Sequence, residues 1–108
     1  MDYEQTVIDI IVNAGNARSK AMEAINHVKK DEFDKAQEFL NLSSEELGKA
    51  HRVQTGLIQS EAGGTTHEVT LLMVHAQDHL MNAMTVRDLA EELIEIHQKL
   101  NQYYQHKI

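Results

Sequence analysis

The chain contains no proline and only five glycines among its 108 residues. Proline breaks helices and glycine is a common turn residue, so very little here interrupts a helix or builds β-turns. The length suits one hydrophobic core, because single domains commonly occupy roughly 100–200 residues. We therefore expect a single all-α domain, residues 1–108, built from long helices.

Apolar residues recur at the spacing of one helical face in two early segments. The first runs from about Tyr3 to Lys29, with Asp2 as its cap. The second follows Asp31, which we expect to cap it, and ends near Ser60. Gly15 lies within the first helix and costs about 1 kcal/mol against alanine there. We expect close approach of another helix or of a partner to offset that cost, although plain close packing explains it equally well.

The third helix is predicted to begin at Thr65, because Thr65 and Glu68 have the spacing of a capping box. It should reach roughly Tyr104. Helices of roughly 25–40 residues form a thin bundle with little buried surface per residue, so oligomerisation is the natural remedy. Residues 71–74 are all apolar and cover every side of one turn. A symmetric association of the third helices about a common axis would bury them.

Composition and charge exclude several classes of function. Hydrophobic residues make up 42% of the chain and charged residues 25%, the mix of a folded soluble domain. The formal charge of −7 would repel nucleic acid and anionic lipid and would attract a basic protein surface. The same charge is also explained if it only keeps the protein soluble. Cysteine is absent, which removes disulfides and thiolate chemistry. With acid near the start and no long apolar run, we expect a cytoplasmic protein.

Three ionisable side chains in the third helix share one face. At about 100° per residue, Asp78 lies about 60° to one side of His75, and His79 lies about 40° to the other. Gln77 points roughly the opposite way, so it could approach a site at His75 only from another subunit.

His75 is suited to nucleophilic chemistry. An ordinary histidine has a pKa of about 6.5, which leaves an imidazole lone pair available near neutral pH. A second imidazole one turn away, His79, could orient the first or bind a phosphoryl oxygen. No glycine-rich phosphate loop is present, so a phosphoryl donor would have to be a protein.

A metal site is the competing interpretation of the same residues. Histidines four residues apart bind zinc readily, and Asp78 could be a third ligand. On this alternative the chain is a non-catalytic, metal-binding trimeric adaptor that uses His75, Asp78 and His79. Seven histidines in one short chain also produce close pairs by chance, and spacing alone does not decide between these interpretations.

The octapeptide at residues 74–81, VHAQDHLM, resembles the signature of the lactose/cellobiose-type enzyme IIA family of the bacterial sugar phosphotransferase system. Further resemblances lie in residues 15–19, in Ala50-His51 with Gln54-Thr55, and in residues 91–95, so that nearly the whole chain is covered. The resemblance implies an antiparallel three-helix bundle that assembles as a parallel homotrimer, a nine-helix bundle. The match through residues 71–81 and 91–100 favours the cellobiose/chitobiose branch over the lactose branch.

The resemblance also implies roles for particular residues. It implies phosphorylation of His75 at Nε2 by the histidine-containing phosphocarrier protein, and transfer from there to a cysteine of enzyme IIB, which serves the membrane enzyme IIC. Asp78 matches an aspartate that meets its symmetry mates around a divalent metal on the trimer axis, commonly magnesium. His79 and Gln77 match supporting residues near the phosphorylation site. No nucleotide is implied.

Overall fold

The structure is a computed structural model and describes residues 2–107. It contains three α-helices, α1 at Tyr3–Val28, α2 at Phe33–Ala62 and α3 at Leu71–Lys107. Short connections reverse the chain twice, which produces an antiparallel bundle measuring 63 × 20 × 19 Å. The prediction of an all-α, three-helix fold is confirmed. Within residues 2–107, no helix combines the length and the apolar character needed to cross a membrane.

The two ends of α1 illustrate how local chemistry sets a helix boundary. Asp2 caps α1 as predicted, since its Oδ1 accepts a hydrogen bond from the Glu4 amide at 3.1 Å. The prediction that Asp31 caps α2 is wrong. Asp31 has a φ of 60°, a left-handed conformation that aspartate tolerates better than most residues, and it turns the chain between the helices. Glu32 occupies the N-cap position of α2 and makes no side-chain capping bond.

The start of α3 also differs from the prediction. Residues 65–70 are not helical, and α3 begins at Leu71. The Thr70 hydroxyl accepts the Met73 amide at 3.1 Å and so satisfies a free donor of the first turn. Upstream, the Tyr3 hydroxyl donates to the Glu68 carbonyl at 2.8 Å, and the Tyr3 and His67 rings stack with centroids 4.6 Å apart. These contacts hold the connection between α2 and α3 against the start of α1. The backbone that follows Thr65 is therefore not helical, and the predicted capping box does not start α3.

The core lies along α1, which packs against both other helices more extensively than they pack against each other. Alanine supplies most of the buried apolar residues in the described chain, so the helices approach closely. Two clusters result. The first contains Val7, Ile10, Ala14, Ala17, Ala50, Ala76, Leu80 and Ala83. The second contains Ala21, Ala24, Val28, Ala36, Leu40, Ala90 and Ile94.

Candidate functional site

His75 and His79 form a pair on the surface of α3. Their rings stack with centroids 5.6 Å apart and planes 14° apart. His75 is exposed and His79 is half-buried. Among residues 2–107, neither imidazole has a hydrogen-bond partner, and no buried side-chain nitrogen or oxygen lacks one. The His75 imidazole is therefore accessible from solvent, and the two histidines lie side by side, as their spacing predicted.

The packing of α3 on α1 determines where this pair lies. Ala76, Leu80 and Ala83 are fully buried in the first core cluster and set the rotation of α3. His75 precedes Ala76, so the helical turn of about 100° places its side chain at the edge of the contact with α1. His79 lies between this edge and α1 itself. The buried row of Ala76, Leu80 and Ala83 thus leaves His75 accessible and His79 partly covered.

Gly15 is the point at which His79 meets α1. A Cβ atom built on Gly15 would lie 3.2 Å from Nε2 of His79. This is closer than an ordinary van der Waals contact between carbon and nitrogen. The expectation that another helix approaches α1 closely at Gly15 is confirmed, and the approaching group is the imidazole of His79.

Gln77 and Asp78 line a groove of about 510 Å³ to which neither His75 nor His79 contributes. The Gln54 side-chain amide on α2 donates to Oε1 of Gln77. Nε2 of Gln77 lies 3.5 Å from the Met73 sulfur. Gln77 is therefore directed toward α2, away from His75 of its own chain. The groove is lined by Tyr3, Leu57, Ile58, Glu61, His67, Val69, Met73, Val74, Gln77, Asp78 and Met81.

Asp78 is exposed, and its Oδ2 accepts a hydrogen bond from the Asn82 side-chain amide at 3.5 Å. Throughout residues 2–107, no three histidine, cysteine, aspartate or glutamate side chains are grouped so that they could hold a metal ion. His75, Asp78 and His79 of one chain therefore do not form the zinc site that the adaptor alternative requires. That alternative has no support from the structure.

Sequence reasoning left two contacts of the site unassigned. Gln54 was included in the resemblance but given no role, and it holds Gln77. Gly15 was expected to meet something, but the sequence did not indicate that the partner is His79. His51, which was also included in the resemblance, is exposed and lines a different groove together with Met84 and Arg87. Spacing within one helix does not indicate which residues of two different helices come into contact.

The fold and the site together define a class, that of small helical proteins that carry an exposed pair of histidines on one helix. Comparison with known proteins makes the class more specific. The profile of the family described as "PTS system, Lactose/Cellobiose specific IIA subunit" matches residues 5–98. The lichenan-specific phosphotransferase enzyme IIA component of Bacillus subtilis is 54% identical over 101 residues, which cover 94% of this chain and 92% of that protein.

Solved structures agree with the sequence comparison. The cellobiose-specific enzyme IIA of Bacillus anthracis superposes with a TM-score of 0.89 at 46% identity, covering 94% of each chain. The Escherichia coli IIA for N,N'-diacetylchitobiose, solved in complex with HPr, has a TM-score of 0.81 at 42% identity and covers 94% of this chain and 98% of that one. The chain belongs to the lactose/cellobiose-specific IIA family of the sugar phosphotransferase system. It is a phosphotransferase component.

Proposed function

We propose that His75 receives a phosphoryl group from the histidine-containing phosphocarrier protein and passes it to a cysteine of enzyme IIB in the cytoplasm. The observation that carries the proposal is the exposed His75 imidazole. It has no hydrogen-bond partner in the described chain, and its ring stacks on His79. A protein donor is required because the chain has no glycine-rich phosphate loop. The site is open enough for a protein surface, and the E. coli relative was solved in complex with HPr.

The transfer needs little covalent machinery. The Nε2 lone pair of neutral His75 attacks phosphorus while the P–N bond of the donor phosphohistidine breaks. If the other nitrogen of the donor ring carries a proton, the donor leaves as neutral imidazole and His75 keeps its own Nδ1 proton. In the second step a cysteine thiolate attacks phosphorus, a P–S bond forms, and His75 leaves as neutral imidazole. Positioning and charge stabilisation dominate such chemistry, and His79 is placed to contribute to both.

The test is direct detection of the phosphorylated residue. After incubation with the phosphorylated carrier and separation from it, the native protein should give a ³¹P phosphoramidate signal and His75→Ala should give none. His106→Ala is the matched control, because His106 is also exposed on α3 but lies about 45 Å further along the helix. No signal from native protein, or an undiminished signal in His75→Ala, excludes the proposal.

We also propose that the protein functions as a parallel homotrimer with α3 at the threefold axis. An exposed apolar stripe runs along α3 and supports this arrangement. Its described members include Leu71, Val74, Met81, Leu89, Ile96, Leu100 and Tyr103. In a trimer with threefold symmetry, the two edges of each apolar stripe face two different subunits. The His75 edge of one copy then faces the groove of the next, where Gln77 lies, so a supporting role for Gln77 requires the assembled trimer.

We propose a divalent metal, magnesium, at Asp78 on the trimer axis. Asp78 interrupts the apolar stripe between Val74 and Met81. Three carboxylates brought together there would repel one another unless a cation lay between them. Carboxylate oxygens are hard ligands that suit magnesium or calcium. The metal would stabilise the assembly, and the reaction at His75 needs no step through it.

For the sugar, we propose the cellobiose/chitobiose type. The relatives described above are named for lichenan, cellobiose and N,N'-diacetylchitobiose. The carrier itself does not contact the sugar, so specificity resides mainly in enzymes IIB and IIC. Uptake assays in a deletion strain should show loss of cellobiose or chitobiose uptake with lactose uptake intact, and loss of lactose uptake alone would contradict the assignment.

A further inference from the structure

We propose that Gly15 is a positioning residue for phosphoryl transfer, because its lack of a side chain leaves the space in which His79 stays stacked on His75. This inference rests on the proposed function of His75. Within 4 Å of a Cβ built at Gly15, the described side chain that it meets is His79 and not His75. Gly15 would act through His79, whose Nε2 lies 3.2 Å from the position of a Cβ at residue 15.

The backbone around Gly15 cannot move away from such a contact. Ala14 and Ala17 are fully buried on either side of it, packed in the first core cluster. On α3, Leu80 is fully buried directly after His79. Both helices are therefore held by close-packed neighbours, and close-packed interiors resist even small displacements. A methyl group at residue 15 would be accommodated by movement of the His79 side chain.

Movement of His79 would change the surroundings of His75. The two rings stack at a centroid distance of 5.6 Å, and no other described ring or hydrogen-bonding group contacts the His75 imidazole. Stacking on His79 would therefore restrict the rotation of the His75 ring. Attack on phosphorus requires Nε2 to point along the line of the breaking bond, so a less restricted ring spends less time in the reactive orientation.

Gly56 provides a matched control on α2. It is also a glycine within a helix, and a Cβ built there meets nothing within 4 Å. Gly15→Ala and Gly56→Ala therefore share the gain in helix propensity and differ in the contact with His79. Any difference between the two variants reports that contact.

The first experiment uses the unphosphorylated protein. Imidazole ¹H–¹⁵N spectra should show the His79 and His75 resonances displaced in Gly15→Ala and unchanged in Gly56→Ala. Gly15→Ala should also slow phosphorylation of His75 by the phosphorylated carrier about tenfold, since displacement of reacting groups by about 1 Å costs roughly 10²-fold. Unmoved resonances in Gly15→Ala would overturn the proposal. Because the spectra need no phosphoryl transfer, they test the effect of Gly15 on the two histidine rings separately from the question of whether His75 is the acceptor.

The second experiment asks whether Gly15 acts through His79. In a His79→Ala background the new methyl group meets no imidazole, so adding Gly15→Ala should cause no further loss of rate and should raise Tm as Gly56→Ala does. An equal loss of rate in both backgrounds would overturn the proposal. If Gly15→Ala alone fails to fold, the double variant should still fold, and its failure to do so would contradict a clash that is specific to His79.

Discussion

At the scale of single residues, Ser43 shows how a small polar side chain joins two helices. It is fully buried, and its hydroxyl donates to the Ala17 carbonyl on α1 at 2.7 Å. Ala17 belongs to the first core cluster and Leu40, one turn before Ser43, belongs to the second. The hydrogen bond thus lies where the two clusters meet. A larger residue at this position would separate α1 and α2.

Ser43→Ala should lower the free energy of unfolding by about 1 kcal/mol, the usual net contribution of one such hydrogen bond. Ser19→Ala is the control, since Ser19 is exposed on α1 and its replacement brings the same change in helix propensity without the buried bond. Urea unfolding of the two variants measures the difference. Equal stabilities would show that the Ser43 hydroxyl contributes nothing.

At the scale of elements, the corner between α1 and α2 is held by side chains from both helices. His27 Nδ1 donates to Glu32 Oε1 at 2.9 Å, and the His27 ring stacks on Phe39 with centroids 5.1 Å apart. The hydrogen bond from His27, with smaller contributions from nearby positive charges such as Lys35, lowers the pKa of Glu32 below its ordinary value of 4.5. The contact ties the end of α1 to the start of α2, next to the left-handed turn at Asp31.

Glu32→Gln should lower Tm slightly at pH 6, and this difference from the native protein should vanish as the pH falls. Because the pKa of Glu32 is lower in the folded state, its carboxylate stabilises the fold above the unfolded-state pKa near 4.5, and that contribution is lost as the pH drops through the lowered value. Thermal unfolding between pH 3 and pH 6 measures the trend, at roughly the range over which carboxyl groups titrate. Glu38→Gln, at an exposed position of α2, should show no such trend. A pH-independent difference for Glu32→Gln would contradict the role of the charge.

At the scale of the whole molecule, the elongated shape is the main consequence of three long helices. The bundle is 63 Å long and about 20 Å wide, so each helix has few neighbours to cover it. The apolar stripe on α3 stays exposed in one copy, with Leu71 86% and Leu89 57% accessible. Burial of this stripe in a trimer would remove apolar surface from water and would bring the Asp78 carboxylates together.

Asp78→Leu should convert a metal-dependent trimer into a metal-independent one, because leucine continues the apolar stripe and removes the repulsion between carboxylates. Sedimentation of native protein should show dissociation when a chelator is added, and the Asp78→Leu trimer should persist. Asp88→Leu, at another exposed position of α3, should behave like the native protein. A variant at Asp78 that stays fully metal-dependent would contradict the proposal, as would a native trimer that is indifferent to chelator.

The sequence by itself determined the features that depend on neighbours along the chain. The absence of proline and the apolar spacing predicted three helices, and helical periodicity placed His75, Asp78 and His79 on one face. Spacing alone did not separate a nucleophile from a metal ligand. The residues around His75 carried the resemblance to the family, and that family was then shown by comparison.

The tertiary structure decided the features that depend on how the helices rotate and approach one another. The third helix begins at Leu71 and not at the predicted Thr65, because contacts from Tyr3 hold the connection against α1. The tertiary structure also paired Gln77 with Gln54 and placed His79 against Gly15. Helical periodicity describes the directions of side chains within one helix. Contacts such as these depend instead on the distances and rotations between helices, which are set by close packing of the buried residues.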